Sequence, residues 1–385
     1  MREKVCIGDL GTIITGKTPS KTNKSYYGNY VAFIKPTDIS EDSKFTYETE
    51  EMYSKLAAEK YKSSLIPKGA ICIPCIGTIG TKMTMTHCAC YTNQSINTII
   101  CNENYDNEYV YYLMKNFLPN LKSYNLGTAS GREFISKSNF EKIEIVAEQN
   151  KNIQKEIGKF LSRYDSLIEN YQKQIKLLEE SAQRLYKEWF IDLRFPGHEN
   201  TKIVDGVPEG WEKKKVGNLI SKVLRTKQVS ANNYLYSGRF PVIDQSRNYI
   251  AGYTNDIESL VKVTIPYIVF GDHTRVLKYV PFSFAKGADG TQLIMSNDLE
   301  RMPQSLFYNS LIEIDLSNYS YARHFKYLKE EYILVPSKDI AQRYDKVESL
   351  YFQSIQKNRE QIRHLTEARD RLLPKLMNGE INVNR

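Results

Sequence analysis

From Ile157 onward apolar residues fall at alternating steps of four and three, through Leu161, Tyr164, Ile168, Tyr171, Ile175, Leu178 and Ala182 to Leu185. Kept over four heptads, this spacing draws a single stripe down a helix and makes a coiled-coil seam. A second stripe runs through Tyr344, Tyr351, Ile355, Ile362, Leu365 and Leu372, but it places Glu348, Asn358 and Arg369 on the seam. Polar seam residues cost stability and restrict register and partner, so the pattern predicts that each helix pairs with the other within one chain. The competing expectation is two amphipathic helices, each packed on its own domain. A globular helix rarely keeps a strict seam beyond about 25 residues, which favours the coiled coil.

The two stripes belong to a repeat. The segment starting at Ile153 aligns without a gap on the one starting at Ile340, with Tyr164 on Tyr351, Ile168 on Ile355, Ile175 on Ile362 and Leu178 on Leu365. The strand-like EIVAEQ at Glu144 matches ILVPSK at Ile333, and KVCIGDL at Lys4 matches KVGNL at Lys215. Short strand-like runs with frequent Gly, Pro and Asn precede each helix. The fold class is therefore α+β, with two domains of mixed β-sheet and short helices and two long coiled-coil helices. The expected boundaries are 1–147 for the first domain, 148–190 for its helix, 191–335 for a linker and the second domain, and 336–385 for the second helix and tail.

Composition narrows the chemistry. The 385 residues carry a net charge of +8 and 28 Tyr, which suits nucleic acid without demanding it. No apolar run approaches the roughly 18 residues needed to span a bilayer, so a cytoplasmic protein is expected. GTIITGKT (Gly11–Thr18) fits the phosphate-loop pattern, yet it lacks a buried strand before it and an amphipathic helix after it, and the second copy has Arg225 and Thr226 in place of Gly16 and Lys17. Cys72 and Cys75 form a C-x-x-C, with His87, Cys88 and Cys90 nearby, but ICIPCIG reads as a buried strand rather than a zinc knuckle. No metal site is expected. Asp272-His273-Thr274 has no nucleophile context, and the chain has no Pro-Pro with which to build a methyltransferase motif.

GKTPSK at Gly16, YYGNYVAFIKPTDIS at Tyr26, IPKGAICIPCIGTIG at Ile66, EWFIDLRFPG at Glu188, PEGWEKKKVGNLI at Pro208 and YIVFGDHTRVLKYVPFSFAKGADGTQLI at Tyr267 together resemble the specificity subunit of type I restriction-modification enzymes. The likeness covers essentially the whole chain. It implies that each variable domain is a target recognition domain reading one half of a split sequence in double-stranded DNA. It further implies that the two long helices form an antiparallel coiled coil that spaces the two readers and docks two modification (methyltransferase) subunits, with restriction subunits joining the assembly. S-adenosylmethionine, ATP and Mg would then reside on the partners, and this chain would be a non-catalytic recognition subunit without a cofactor.

The expected DNA-contacting residues are Lys17, Ser20, Lys35, Thr78, Lys82, Gln94 and Arg132 in the first domain, and Arg247, His273, Arg275, Lys278 and Gln292 in the second. The coiled-coil and docking residues are Ile157, Leu161, Tyr164, Ile168, Ile175, Leu178, Leu185, Tyr344, Tyr351, Ile355, Ile362, Leu365 and Leu372. The seam from Ile157 to Leu185 would span about 43 Å at 1.5 Å per residue, against roughly 34–36 Å for one helical turn of DNA. A phosphate-loop protein and a purely structural coiled-coil DNA-binding protein remain the alternatives.

Overall fold

Runs rich in Ile and Thr, such as GTIIT, ICIP and INTIIC, form strands because branched side chains pack well on a pleated surface. The computed structural model describes residues 1–125, 133–224, 226–319 and 323–382. They fall into two units, Met1–Lys173 with Arg359–Arg385, and Gln174–Asn358. The first unit comprises β1 (Arg2–Cys6), β2 (Gly11–Thr15), β3 (Tyr27–Ile34), β4 (Glu51–Tyr53), helix α1 (Lys55–Lys60), β5 (Ile71–Pro74), β6 (Thr84–Met85), β7 (Tyr91–Thr92), β8 (Ile96–Cys101), helices α2 (Asn107–Phe117) and α3 (Lys137–Glu141), and β9 (Glu144–Glu148). Helix α4 (Lys151–Tyr186) follows.

The second unit contains β10 (Ile203–Val204), β11 (Val207–Pro208), β12 (Glu212–Lys215), β13 (Phe240–Ile243), β14 (Gly252–Thr254), β15 (Leu260–Val261), β16 (Tyr267–Gly271), β17 (Leu277–Val280), β18 (Phe284–Lys286) and β19 (Thr291–Ile294). Helices α5 (Gln304–Ile312) and α6 (His324–Glu330) and strand β20 (Tyr332–Val335) lead into α7 (Lys338–Asn378).

Strand pairing repeats from one unit to the other. In the first, β3 pairs antiparallel with β4 and parallel with β7, and β5 lies between β6 and β8. In the second, β13 pairs antiparallel with β14 and parallel with β18, and β16 lies between β17 and β19. The outer pairs β1–β9 and β12–β20 correspond as well. The internal similarity of the sequence is thus also a similarity of topology.

Helix α2 is capped by Asp106, whose carboxylate accepts from the Tyr109 N–H at 3.0 Å. Its residues Tyr109–Met114 are all buried, so it is the central element of the first core. Ile157 and Leu161 of α4 join that core, as do Leu373, Leu376 and Met377 near the end of α7. Each large apolar side chain taken fully out of water contributes about 1.5–3 kcal/mol. The second core is built the same way around α5, with Tyr186 from α4, Phe190 from the π-helical turn Lys187–Ile191, and Ile340, Ala341 and Tyr344 from α7.

Within each unit the two long helices run antiparallel. In the second, Asn358 donates to the Gln174 side chain at 3.2 Å while Tyr344 meets Tyr186 edge-on at 6.4 Å, so one number falls as the other rises. In the first, Arg369 pairs with Asp165, and the later residues Leu373 and Leu376 share a core with the earlier Leu161 and Ile157. The seam residues Ile157, Leu161, Ile168, Tyr344 and Ile355 are buried, and Tyr164, Ile175, Leu178, Leu185, Tyr351, Ile362, Leu365 and Leu372 are half-buried. All three polar seam residues, Glu348, Asn358 and Arg369, are buried and hydrogen-bonded.

Candidate nucleic-acid interface

In the second unit three loops leave neighbouring strand ends: Asp244–Asn248 after β13, Asp272–Val276 after β16, and Gly287–Gly290 between β18 and β19. Backbone bonds tie them together, Asp272 N to Gly290 O at 2.7 Å and Gly287 N to Ile243 O at 2.8 Å. The Gln245 amide donates to Asp289 O at 3.0 Å and accepts from His273 N at 3.1 Å, and Thr274 Oγ1 donates to Gln245 O at 2.6 Å. Asp289 and Gly290 adopt left-handed φ of 42° and 71°. A Cβ at Gly290 would lie 2.7 Å from the His273 ring and 2.8 Å from the Gln245 amide, so only Gly allows the loops to close this tightly.

From this platform Arg247, Asn248, His273, Thr274 and Arg275 are exposed. Arg275, at a left-handed φ of 62°, is also tethered, its guanidinium donating to Leu316 O at 3.1 Å. Gln292 is half-buried within β19. Lys278 does not project from the face. Its side chain is 4% exposed and donates to Asp244 O at 2.8 Å and Asn248 O at 2.5 Å, and burial pulls its pKa down to about 8 against the pull of Asp244. Lys278 therefore braces the Asp244–Asn248 loop from below. Lys278→Ala is expected to lower stability by about 1.5–3 kcal/mol, the range for hydrogen bonds to a charged group, as read by urea denaturation.

In the first unit the corresponding strand ends carry Lys35–Asp38, Ile76–Lys82 and Thr92–Ser95. The strap Gly16–Ser20 lies against the last of these, with Lys17 N donating to Thr92 O at 2.9 Å and the Thr18 hydroxyl donating to the Gln94 side chain. Tyr53 and Tyr27 hold the strap from beneath through Lys17 O at 2.5 Å and Pro19 O at 2.9 Å. A Cβ on Gly16 would fall 2.1 Å from Thr92 O, so glycine is required there. Lys17, Ser20 and Gln94 are exposed, and Lys82 and Thr78 are partly so. Lys35 is spoken for by Glu50 at 2.5 Å and Glu51 at 3.2 Å. Arg132 lies outside the described residues.

Several groups at these faces escaped the sequence reading. Lys21 and Lys24 extend the exposed strap, and Asn248 and Gln245 sit among the loops of the second unit. Lys21 and Lys24 were legible as neighbours of Lys17. Gln245 and Asn248 had no signal of their own, because their importance depends on loops distant in sequence.

Three other chemical readings can be tested on the same geometry. Gly11–Thr15 is strand β2, paired along its length with β8, and the Gly16 and Lys17 N–H groups are bonded to Ile96 O and Thr92 O. The donors a phosphate loop would aim at a nucleotide are spent inside the protein, and the strap is not the start of a helix. Cys72 and Cys75 are buried, burial pushes their thiols up to about 12 and about 11, and among the described residues no group of three or more His, Cys, Asp or Glu side chains is placed to hold a metal ion. Asp272 is buried, and its carboxylate accepts from Phe325 N at 2.8 Å at the start of α6, a structural cap rather than a reacting group.

Residues 2–180 match the family model described as the type I restriction modification DNA specificity domain. Over 412 aligned residues, covering 98% of this chain and 93% of the relative, the chain is 28% identical to the type I restriction enzyme MjaIX specificity subunit of Methanocaldococcus jannaschii. A 180-residue stretch, 46% of this chain and 38% of the relative, is 34% identical to the HindI specificity subunit of Haemophilus influenzae. The fold is similar to that of the type I restriction-modification S subunit from M. genitalium, with a TM-score of 0.60 at 18% identity over 98% of this chain and 96% of that one. The repeated strand topology and the paired long helices agree with these similarities: residues 2–180 form a type I restriction modification DNA specificity domain, and the chain is similar over its length to type I restriction enzyme specificity subunits.

Proposed function

We propose that this chain is a specificity subunit that reads a bipartite target in double-stranded DNA, one half with each recognition domain, and that the helices α4 and α7 set the spacing of the readers and dock two methyltransferase subunits. Restriction subunits join the same assembly, and S-adenosylmethionine, ATP and Mg belong to those partners. The observation that carries the reading is the recurrence of loops at the same strand ends in both units, each set braced internally while leaving cationic and amide side chains exposed. Such groups suit the two tasks of a DNA reader, phosphate contacts for affinity and hydrogen bonds to base edges for sequence.

The test is methylation of randomised DNA by the assembled enzyme, scored position by position. Arg247→Ala with His273→Ala is expected to weaken preference in one half-site, by about 1–3 kcal/mol for each bidentate pairing with a base that the substitutions remove. Lys17→Ala with Gln94→Ala is expected to affect the other half-site, or to flatten the salt dependence where the side chain meets a phosphate. Equal changes in both half-sites would refute the two-reader model and favour a coiled-coil protein that holds DNA without reading it in halves.

A further inference from the structure

Within the second recognition domain, Gln245 joins three loops that are far apart in sequence. Its Nε2 donates to Asp289 O in the turn before β19, its Oε1 accepts from the backbone N–H of His273, and its own carbonyl accepts from Thr274 Oγ1. The packing is close on every side. A Cβ at Gly271 would lie 2.9 Å from Gln245 Cβ, and one at Gly290 would lie 2.8 Å from its amide nitrogen. An amide is the side chain that donates to a carbonyl and accepts from an N–H at once. A carboxylate would face the Asp289 carbonyl with no donor, and an aliphatic side chain would leave both partners unbonded.

Resting on the two-reader model above, we propose that Gln245 is the positioning residue for the second half-site: it fixes the His273 backbone against the Asp289–Gly290 turn and so sets where the exposed His273 and Arg247 side chains meet base edges. Its effect is on discrimination rather than on attraction. Phosphate contacts tolerate small displacements of a charge, whereas paired hydrogen bonds to a base edge do not. Loosening the latch therefore blurs the choice of base while leaving salt-dependent affinity in place.

The experiment assembles the methyltransferase complex with Gln245→Leu, Gln245→Glu, Thr274→Val and His273→Ala chains, and measures base preference, salt dependence of DNA binding and thermal midpoint. Gln245→Leu and Gln245→Glu are expected to reduce discrimination at second half-site positions about tenfold, with the first half-site and the salt slope unchanged. Thr274→Val removes the hydroxyl's bond to Gln245 O together with its long 3.4 Å contact from Val276 N, leaves the Gln245 amide bonds in place, and is expected to act in the same direction by a few-fold, so it decides the matter where Gln245 variants lose their folding transition. If His273→Ala alters the second half-site while the Gln245 and Thr274 variants keep wild-type preference, the latch is refuted and the reading face stands. If none of them changes the second half-site, the reading face itself is refuted. A change shared equally by both half-sites also overturns the proposal.

Discussion

Asp165→Ala is expected to destabilise the chain by about 3–5 kcal/mol, measured by chemical denaturation. Asp165 lies on α4 with its side chain 8% exposed, and it accepts from the Arg369 guanidinium of α7 and from the Tyr112 hydroxyl of α2. Removing the carboxylate leaves Arg369, 9% exposed, with only its own neighbour Asp370 at 2.9 Å. An unpaired buried cation costs far more than the intact pair contributes, because the cation has lost its water and its counter-charge together. The matching expectation separates cause from position: Asp165→Leu combined with Arg369→Met should recover most of the loss. The repeat already shows an apolar solution. Phe352 and Ala182 occupy the equivalent positions in the second unit, where Phe352 stacks on Tyr279 at 3.9 Å. The two copies of the helical pairing thus carry unlike chemistry, which disfavours pairing either helix with a copy of itself.

Between pH 5 and pH 8 the protein is expected to lose about 3 kcal/mol of stability that a Glu348→Gln variant keeps. Glu348 is fully buried on α7, with one oxygen accepting from Asn309 at 2.8 Å and the other without a partner. Burial pushes its carboxyl up to about 7, against the pull of the Asn309 hydrogen bond and the nearby Tyr344 hydroxyl towards the anion and with Asp345 adding repulsion. The folded state therefore holds a proton that the unfolded chain releases near 4.5. Stability from this group is fully present below that value and is lost as pH rises through about 7. At about 1.36 kcal/mol per pH unit between about 4.5 and about 7, the total is about 3 kcal/mol, most of it lost between pH 5 and pH 8. Thermal or urea denaturation at pH 5 and pH 8 checks it: a Glu348→Gln profile as steep as the parent's would rule the account out. The first copy has Leu161 at this position, fully buried, so the carboxyl is a departure of the second copy alone.

Much of this architecture was legible in the amino-acid order. The seam from Ile157 to Leu185 and its polar counterpart through Glu348, Asn358 and Arg369 are periodic patterns, and a helix converts period directly into a face. The repeat was legible for the same reason, since matched spacings fold into matched elements. Helix α5 was not, because most of Gln304–Leu311 is buried on every side and so shows no amphipathic period. GTIITGKT shows the converse: a correct local pattern was overruled when Gly11–Thr15 paired with β8 as a strand and the Gly16 and Lys17 N–H groups bonded Ile96 O and Thr92 O.

Which side chains stay free at the two loop faces was decided by tertiary structure alone. Lys278 and Lys35 are cations in sequence, but one is folded beneath a loop and the other is held by two carboxylates, while Lys17 and Arg247 stay in solvent. Nothing local to Gln245 marks it as the meeting point of three loops. Sequence spacing along one helix or strand determines which residues share a face. Which charges remain free, and which side chains join distant loops, depends on contacts between segments that the order of residues brings together only through the fold.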